Sequence, residues 1–335
     1  MFDPAIYPLT FAPVLRDYLW GGRRLETLYG RSLPPGRVAE SWEISGHPNG
    51  STLADAGAWR GQALPAIQAA LGARLGGTRA AWALARRKFP LLVKLLDAQQ
   101  DLSLQVHPDD AYALTHEAGE LGKTEMWYVL HADPGTELIR GVRPGVDRRA
   151  FEAALAAGQL ATVLQREAVF AGLAFDVPPG TVHALLAGTV VAEIQQNSDT
   201  TYRVFDWDRR GPDGQPRALH IEKALQVIDF DAVAHVRGPR MLEDTPEIRR
   251  VEVARNRYFV VEEVRLGAGA AFTGACDGAT LELWGCVSGQ AAIEWDGATV
   301  PLPAIRFALL PAALGAFRIA AAGPCTCLRA YLPEV

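Results

Sequence analysis

The last third of the chain consists of short runs in which apolar and polar residues alternate, separated by glycine or proline. Alternation with a period of two is typical of a strand that buries one face. Short strands at even spacing favour a β-sandwich or a jelly roll. The clearest predicted strands here are Tyr258–Leu266, Thr280–Val287, Gln290–Trp295, Ile305–Leu310, Ala316–Ala320 and Thr326–Leu332.

The first two thirds predict similar strands with helices inserted between them. The predicted strands are Leu91–Leu96, Ser103–His107, Glu125–Leu130, Glu137–Gly141, Ala168–Val177, Val190–Gln195 and Tyr202–Trp207. Helical spacing occurs at Leu64–Leu75, Thr78–Arg87, Pro108–Ala118 and Val146–Leu164. A polar stretch that includes Arg237-Gly238-Pro239 interrupts the pattern and predicts a domain boundary. We therefore expect a mostly β protein with two jelly rolls, the first with helical insertions at residues 1–236 and the second at residues 237–335.

Composition limits the class of protein. With 335 residues, 49% of them hydrophobic, the chain can bury a sizeable core. The net charge of −5 gives no sign of a nucleic-acid or anionic-membrane surface. The N-terminus has no basic region followed by an apolar run, and no run of about 18 apolar residues occurs, so we expect a cytoplasmic protein. The cysteines lack CxxC spacing, which favours free buried thiols, although Cys325 and Cys327 would share a strand face and could bind metal.

Two short segments can supply ligands to one metal ion. In Gln105-Val106-His107, strand alternation places Gln105 and His107 on the same face. The segment Pro178–His183 has the form Pro-x-Gly-x-x-His and predicts a turn that aims His183 inward. Between the two segments, Glu125 stands at the head of another apolar strand. These donors suit a borderline divalent cation such as zinc, and a site with an open coordination position is typical of a catalytic metal.

In their order and spacing these segments resemble type I mannose-6-phosphate isomerases, in particular the short bacterial branch of that family. The resemblance covers about residues 10 to 235 and rests on Trp20–Gly22, Glu40–Ser45, Leu102–Asp110, Gly122–Trp127, Pro178–Leu185 and Glu193–Trp207. It implies cupin-type jelly rolls and interconversion of mannose 6-phosphate and fructose 6-phosphate. It also implies one zinc ion per chain, with the ligands Gln105, His107, Glu125 and His183. The amide of Gln105 is a weak donor, and the alternative is that water takes the fourth position while Gln105 lies behind the ligands.

An aldose–ketose isomerisation moves a proton between two adjacent carbons through an enediol, which requires a base and a group that stabilises negative charge. Glu193, in an apolar strand, is the predicted base; the alternative is that it pairs with an arginine on a solvent-facing strand surface. Arg203 matches the family's active-site arginine and would stabilise an enediolate or bind phosphate. The alternative for Arg203 is a structural ion pair with Asp199 or Asp206.

Lysine is rare in this chain, since only four of the 33 basic residues are lysines, and two of them fall near the predicted site. Lys123 precedes Glu125 by two residues and should face the same side, where it could bind phosphate or move a proton. Lys94 lies in an apolar strand, where it needs an anionic partner unless its tip reaches solvent. The resemblance suggests that Ser103, two residues before Gln105 on the same strand face, helps to hold phosphate, and Lys94 and Glu43 are further predicted contacts of the substrate.

Two other functions fit part of this pattern. An iron-dependent cupin dioxygenase also has two histidines and a carboxylate as ligands, but it does not need phosphate-binding cations near its metal. A non-catalytic cupin that binds sugar phosphates could keep the ligands without Glu193 and Arg203, and both are present. We therefore expect an enzyme that acts on a small sugar phosphate as a monomer or weak homodimer, without nucleic-acid or membrane partners.

Overall fold

Antiparallel strands dominate the computed structural model, which describes residues 5–211, 214–232 and 238–334. The predicted mostly β fold is confirmed. The strands before residue 210 are β1 (Leu9–Ala12), β2 (Val14–Arg16), β3 (Glu40–Ile44), β4 (Leu53–Ala54), β5 (Leu91–Ala98), β6 (Leu104–Val106), β7 (Glu125–Ala132), β8 (Glu137–Val142), β9 (Leu164–Ala168), β10 (Ala174–Val177), β11 (His183–Leu185), β12 (Thr189–Gln196) and β13 (Tyr202–Phe205).

The remaining strands lie close together in sequence. They are β14 (Arg240–Asp244), β15 (Ile248–Arg255), β16 (Val260–Leu266), β17 (Ala271–Cys276), β18 (Glu282–Ser288), β19 (Gln290–Trp295), β20 (Ala298–Pro303), β21 (Arg306–Leu310), β22 (Gly315–Ala321) and β23 (Cys325–Tyr331). The sequence did not predict β14, β15, β17 or β20, and β14 falls within the polar stretch assigned to the boundary. No helix in the described residues is long and apolar enough to cross a membrane.

The helices are shorter than predicted. They are α1 (Arg24–Thr27), α2 (Leu64–Leu71), α3 (Ala73–Gly76), α4 (Ala81–Leu84), α5 (Asp110–His116), α6 (Arg148–Ala156) and α7 (Ile221–Val227), with 3-10 turns at Thr78–Ala80 and Leu160–Thr162. Gly72, with φ of 54°, ends α2 inside the predicted helix Leu64–Leu75. Gly158, with φ of 69°, follows the end of α6, so that Leu164 begins β9 instead of ending a helix.

Two further boundaries differ from the prediction for local reasons. The predicted strand Ala168–Val177 is two strands, β9 and β10, with a turn between them in which Gly172 has φ of 89°. A left-handed φ cannot continue a strand and favours glycine. Asp109 caps α5 by accepting the N–H of Tyr112 at 2.8 Å, so Pro108 precedes the helix and is not part of its first turn.

The first of two compact units comprises Met1–Val14, Trp42–Lys94 and Arg237–Val335. Its core lies between an eight-stranded sheet in the order β14-β15-β16-β23-β18-β21-β1-β4 and a four-stranded sheet in the order β17-β22-β19-β20. All four cysteines are buried and unbridged, as predicted. Residues 1–14 and 42–94 were predicted to belong with residues 95–236, and the structure groups them differently. One reason is that the segment after α3 is hydrogen-bonded to the C-terminal third of the chain, where the Gly278 carbonyl accepts the Thr78 N–H at 3.1 Å.

The second unit comprises Leu15–Ser41 and Leu95–Val236. It contains a five-stranded sheet in the order β13-β6-β11-β8-β9 and the neighbouring strands β10, β7 and β12. An apolar core that includes Trp127, Leu138 and Val191 joins residues of these two groups of strands. A second core, which includes Val106 and Phe151, lies between the five-stranded sheet and α6. The predicted boundary between residues 236 and 237 lies outside the described residues and stays a prediction.

Candidate active site

Four polar side chains lie in register across the five-stranded sheet. Arg203 of β13 pairs with Gln105 of β6, Gln105 pairs with His183 of β11, and His183 pairs with Arg140 of β8. Residues that are directly paired across strands present their side chains on the same face. The neighbouring residues of β6, Leu104 and Val106, belong to the apolar core on the opposite face. Alternation along each strand therefore separates a polar row from the core that supports it.

His107, Glu125 and His183 form a compact buried group. Glu125 Oε1 lies 3.2 Å from His183 Nε2, and Glu125 Oε2 lies 3.5 Å from His107 Nε2. The three candidate ligand atoms all lie within 4.8 Å of one another. His107 is 1% exposed, and the other two residues have no exposed surface. The structure thus brings together three of the four predicted ligands in a group that could hold a metal ion.

Main-chain carbonyls orient both imidazoles. His107 Nδ1 lies 2.9 Å from the Thr200 carbonyl oxygen, and His183 Nδ1 lies 2.9 Å from the Thr181 carbonyl oxygen. A carbonyl only accepts hydrogen bonds, so each Nδ1 carries the proton and each Nε2 presents its lone pair toward Glu125. Such a contact behind a metal-binding histidine fixes the tautomer and the ring orientation.

The charge of this buried group suits a bound cation. Burial lowers the pKa of His107 to about 3, with the Lys123 ammonium adding to the effect, and burial also lowers the pKa of His183. Burial by itself would raise the pKa of Glu125, but Lys123 and the two histidines hold it below its usual range. At neutral pH the group is therefore one carboxylate with two neutral imidazoles. Among the described residues, His107 Nε2 and both oxygens of Glu125 lack a hydrogen-bond partner, and a bound cation would satisfy them.

Gln105 lies beside the group. Its Nε2 lies 3.2 Å from His183 Nε2, and its Oε1 lies 3.5 Å from the hydroxyl of Ser103, which is buried. Rotation of the amide by half a turn exchanges its nitrogen and oxygen without moving the rest of the side chain. Gln105 could then present an oxygen ligand to an ion held by His183.

Glu193 lies on β12 and is 3% exposed, which argues against the predicted alternative of a pairing on a solvent-facing surface. Its Oε2 accepts the indole N–H of Trp127 at 3.0 Å. The Trp127 ring meets the His183 ring edge-on, with centroids 5.3 Å apart. Trp127 therefore links the predicted base to a predicted ligand. Trp127 had no predicted role, although its position two residues after Glu125 places it on the same face of β7.

Two of the four lysines are buried. Lys123 Nζ lies 3.3 Å from Glu125 Oε2, which agrees with the predicted facing of these two side chains. Lys94, on β5, is 2% exposed and its Nζ lies 4.6 Å from the centroid of the Trp42 ring. The predicted alternative, in which the tip of Lys94 reaches solvent, does not fit this burial. Glu43, on β3, is also buried.

Arg203 is held mainly by main-chain groups. Its Nη1 donates to the Ala218 carbonyl at 2.8 Å. Asp206, one of its predicted alternative partners, instead pairs with Arg209 and Arg217. Burial lowers the pKa of Arg203, and the nearby Arg217 adds to the effect. Its Nε is buried without a hydrogen-bond partner in the described part of the chain, so the guanidinium retains a donor for an anion.

The chain is similar in sequence to known proteins of one family. The model of the catalytic domain of type I phosphomannose isomerase matches residues 9–131. A probable mannose-6-phosphate isomerase of Bacillus subtilis (strain 168), GmuF, is 38% identical over 316 residues, which cover 93% of this chain and 96% of that protein. The chain belongs to the type I phosphomannose isomerases. The resemblance seen in the sequence motifs is confirmed.

Further members of the phosphomannose isomerase family support the assignment. A mannose-6-phosphate isomerase of Streptococcus mutans is 43% identical over 228 residues, covering 68% of this chain and 70% of that protein. The crystal structure of the mannose 6-phosphate isomerase from Bacillus subtilis superimposes with a TM-score of 0.82 at 32% identity, covering 96% of this chain and 99% of that chain. The predicted cupin-type fold is therefore also confirmed.

Proposed function

We propose that this chain is a zinc-dependent isomerase that interconverts mannose 6-phosphate and fructose 6-phosphate through a cis-enediol, with one zinc ion per chain. The observation that carries the proposal is the buried group of His107, Glu125 and His183, in which Lys123 neutralises part of the carboxylate charge. The choice of substrate is supported by relatives named as mannose-6-phosphate isomerases.

His107, Glu125 and His183 would hold the metal, and Gln105 would be a fourth ligand once its amide oxygen faces the ion. The Nε2 atoms of His107 and His183 already face the carboxylate oxygens of Glu125. Bound zinc would supply a Lewis acid for the carbonyl and hydroxyl oxygens of the substrate. A nitrogen and oxygen donor set of this kind suits zinc, whereas soft thiolate ligands are lacking among these residues.

Glu193 is the proposed base. It would take the proton from C2 of mannose 6-phosphate and return it to C1, while the hydroxyl proton on O2 moves to O1, so that an aldehyde and an alcohol become an alcohol and a ketone. The hydrogen bond from Trp127 fixes the direction of the carboxylate. Burial of this pair keeps water away from the enediol.

Positive side chains would bind the anionic parts of the substrate. Arg203 offers a fixed guanidinium for the enediolate or the phosphate, and Lys123 offers an ammonium beside Glu125 for phosphate binding or proton transfer. Ser103 is a proposed phosphate contact. Lys94 and Glu43 are further proposed substrate contacts, and both side chains are buried.

The direct test is turnover. Purified protein should convert fructose 6-phosphate into mannose 6-phosphate, which ¹³C NMR follows without coupling enzymes. No oxygen should be consumed, because isomerisation needs no oxidant, and an oxygen electrode records this in the same sample. Oxygen uptake that depends on the sugar would support the iron dioxygenase instead. Binding of the sugar phosphate without turnover would support the non-catalytic alternative.

A Trp127→Phe substitution should separate orientation of the base from metal binding. Phenylalanine keeps an aromatic ring next to His183 but removes the N–H that holds Glu193. A hydrogen bond to a charged group contributes about 1.5–3 kcal/mol, so we expect kcat to fall about 10-fold or more while zinc content stays the same. The matched control is Trp295→Phe, which removes an indole hydrogen bond to the Leu314 carbonyl. Equal kcat in both variants would contradict a role for Trp127.

A further inference from the structure

The outer edge of the five-stranded sheet is covered by a short segment. Strand β13 is an edge strand of this sheet, and β6 is its only strand neighbour among the described residues. On the other side, the Arg203 N–H donates to His220 Nδ1 at 3.2 Å, and the His220 N–H donates to the Arg203 carbonyl at 2.8 Å. The Ala218 carbonyl accepts from the Arg203 guanidinium. Residues 218–220 thus hold Arg203 by its main chain and its side chain.

These contacts also determine how Arg203 faces Gln105. Both main-chain groups of Arg203 point away from β6, toward His220. Its pairing with Gln105 is therefore the non-hydrogen-bonded kind, in which Cα atoms lie about 4.5 Å apart and side chains are closest. His220 therefore contacts the main chain of the residue that faces Gln105 across the two strands.

We propose that His220 is a positioning residue for Arg203 and that it acts only as the neutral imidazole. The inference rests on the proposed function, in which Arg203 binds the negative charge of the substrate or the enediolate. The proposal requires that Nδ1 keep its lone pair, because a protonated Nδ1 cannot accept the Arg203 N–H. A protonated ring would also place a second positive charge beside the guanidinium.

The surroundings of the ring favour the neutral form. The charged groups that face it are Arg203 on β13, Lys223 on α7 and Glu117 after α5, and the Tyr202 ring lies 6.4 Å from it. Burial lowers the pKa of His220, Arg203 and Lys223 lower it further, and Glu117 opposes them. Because the folded-state pKa lies below the ordinary histidine value, the contact is present at neutral pH and is lost as the pH falls through that lowered value.

Two substitutions test the proposal. Asparagine can place its Oδ1 where Nδ1 lies and cannot be protonated near neutral pH, whereas leucine fills the space without an acceptor. We expect His220→Leu to lower kcat/KM about 10- to 100-fold at pH 8, since small displacements of an active-site group have effects of that size. We expect His220→Asn to stay within about threefold of the wild type, a difference of less than one hydrogen bond.

The pH profile gives the sharper result. Wild-type protein should lose kcat/KM relative to His220→Asn as the pH falls below the ordinary histidine value of about 6.5, because protonation of His220 removes the acceptor for the Arg203 N–H. The substrate phosphate and other groups titrate equally in both proteins, so the ratio of the two profiles isolates His220. His131→Asn is a control, since His131 contacts Asp133 and not Arg203. Identical profiles for the wild type and His220→Asn would overturn the proposal, as would full activity of His220→Leu.

A readout without substrate separates this inference from the proposed function. Hydrogen exchange of the Arg203 amide should be faster in His220→Leu than in His220→Asn at equal global stability. If that difference is found but Arg203→Lys retains full turnover, the contact exists and the proposed function of Arg203 is wrong. If the amide exchanges equally in both variants, the positioning role itself is wrong.

Discussion

Replacing His183 with alanine should remove the metal ion and nearly all turnover. The substitution deletes one of three buried donors and leaves Glu125 without the imidazole 3.2 Å from its Oε1. Losing a residue that only supports a metal ligand typically costs 10- to 100-fold, so loss of a ligand should reduce kcat by more than about 100-fold. Metal analysis of the purified variant should find less than a tenth of the wild-type zinc, and kcat is measured on the same preparation.

His116→Ala is the matched control for that experiment, because His116 is an exposed histidine at the end of α5. This variant should retain both zinc and turnover. A His183→Ala protein that folds, lacks metal and still turns over at the wild-type rate would show that the buried group is not the catalytic centre.

Replacing Glu193 with glutamine should have the second largest effect. Glutamine keeps the size of the side chain and can still accept the Trp127 N–H, but it cannot take a proton from carbon. General bases contribute about 10²- to 10⁴-fold to rate, so kcat should fall by that factor while KM changes little. Zinc content should equal that of the wild type, which distinguishes this loss from the loss in His183→Ala.

Glu137→Gln provides the comparison for Glu193. Glu137 lies on β8 and pairs with Arg166 at the surface, where such a pair contributes little to stability. Its replacement should leave kcat unchanged. If Glu193→Gln also retained full turnover, the proton would have to be moved by another group, and Lys123 is the first candidate.

Much of the site could be predicted because its members occur in short local patterns. Gln105 lies on β6, His107 directly follows the end of that strand, and His183 ends a glycine-containing turn, so short local patterns predict which way these side chains face. Trp127 and His220 were not predicted. Their roles depend on β7 lying next to β12 and on residues 218–220 lying along β13, and such pairings are set by tertiary structure.

The fold shows the same distinction between local and distant determinants. Strand periodicity predicted the position of β5, β7 and β12 closely, whereas single glycines ended α2 and α6 before the apolar pattern did. The division into units depends on contacts such as Thr78 with Gly278, two hundred residues apart in sequence, and no local pattern carries that information.

The central claim is that one bound zinc ion at His107, Glu125 and His183 makes this chain an isomerase. The most direct measurement starts from chelator-treated protein and follows conversion of fructose 6-phosphate to mannose 6-phosphate as zinc is returned in steps. We expect no conversion before zinc is added, and a linear rise in rate that saturates at one zinc per chain. Full conversion by the metal-free protein, or zinc binding at this site without any conversion, would contradict it.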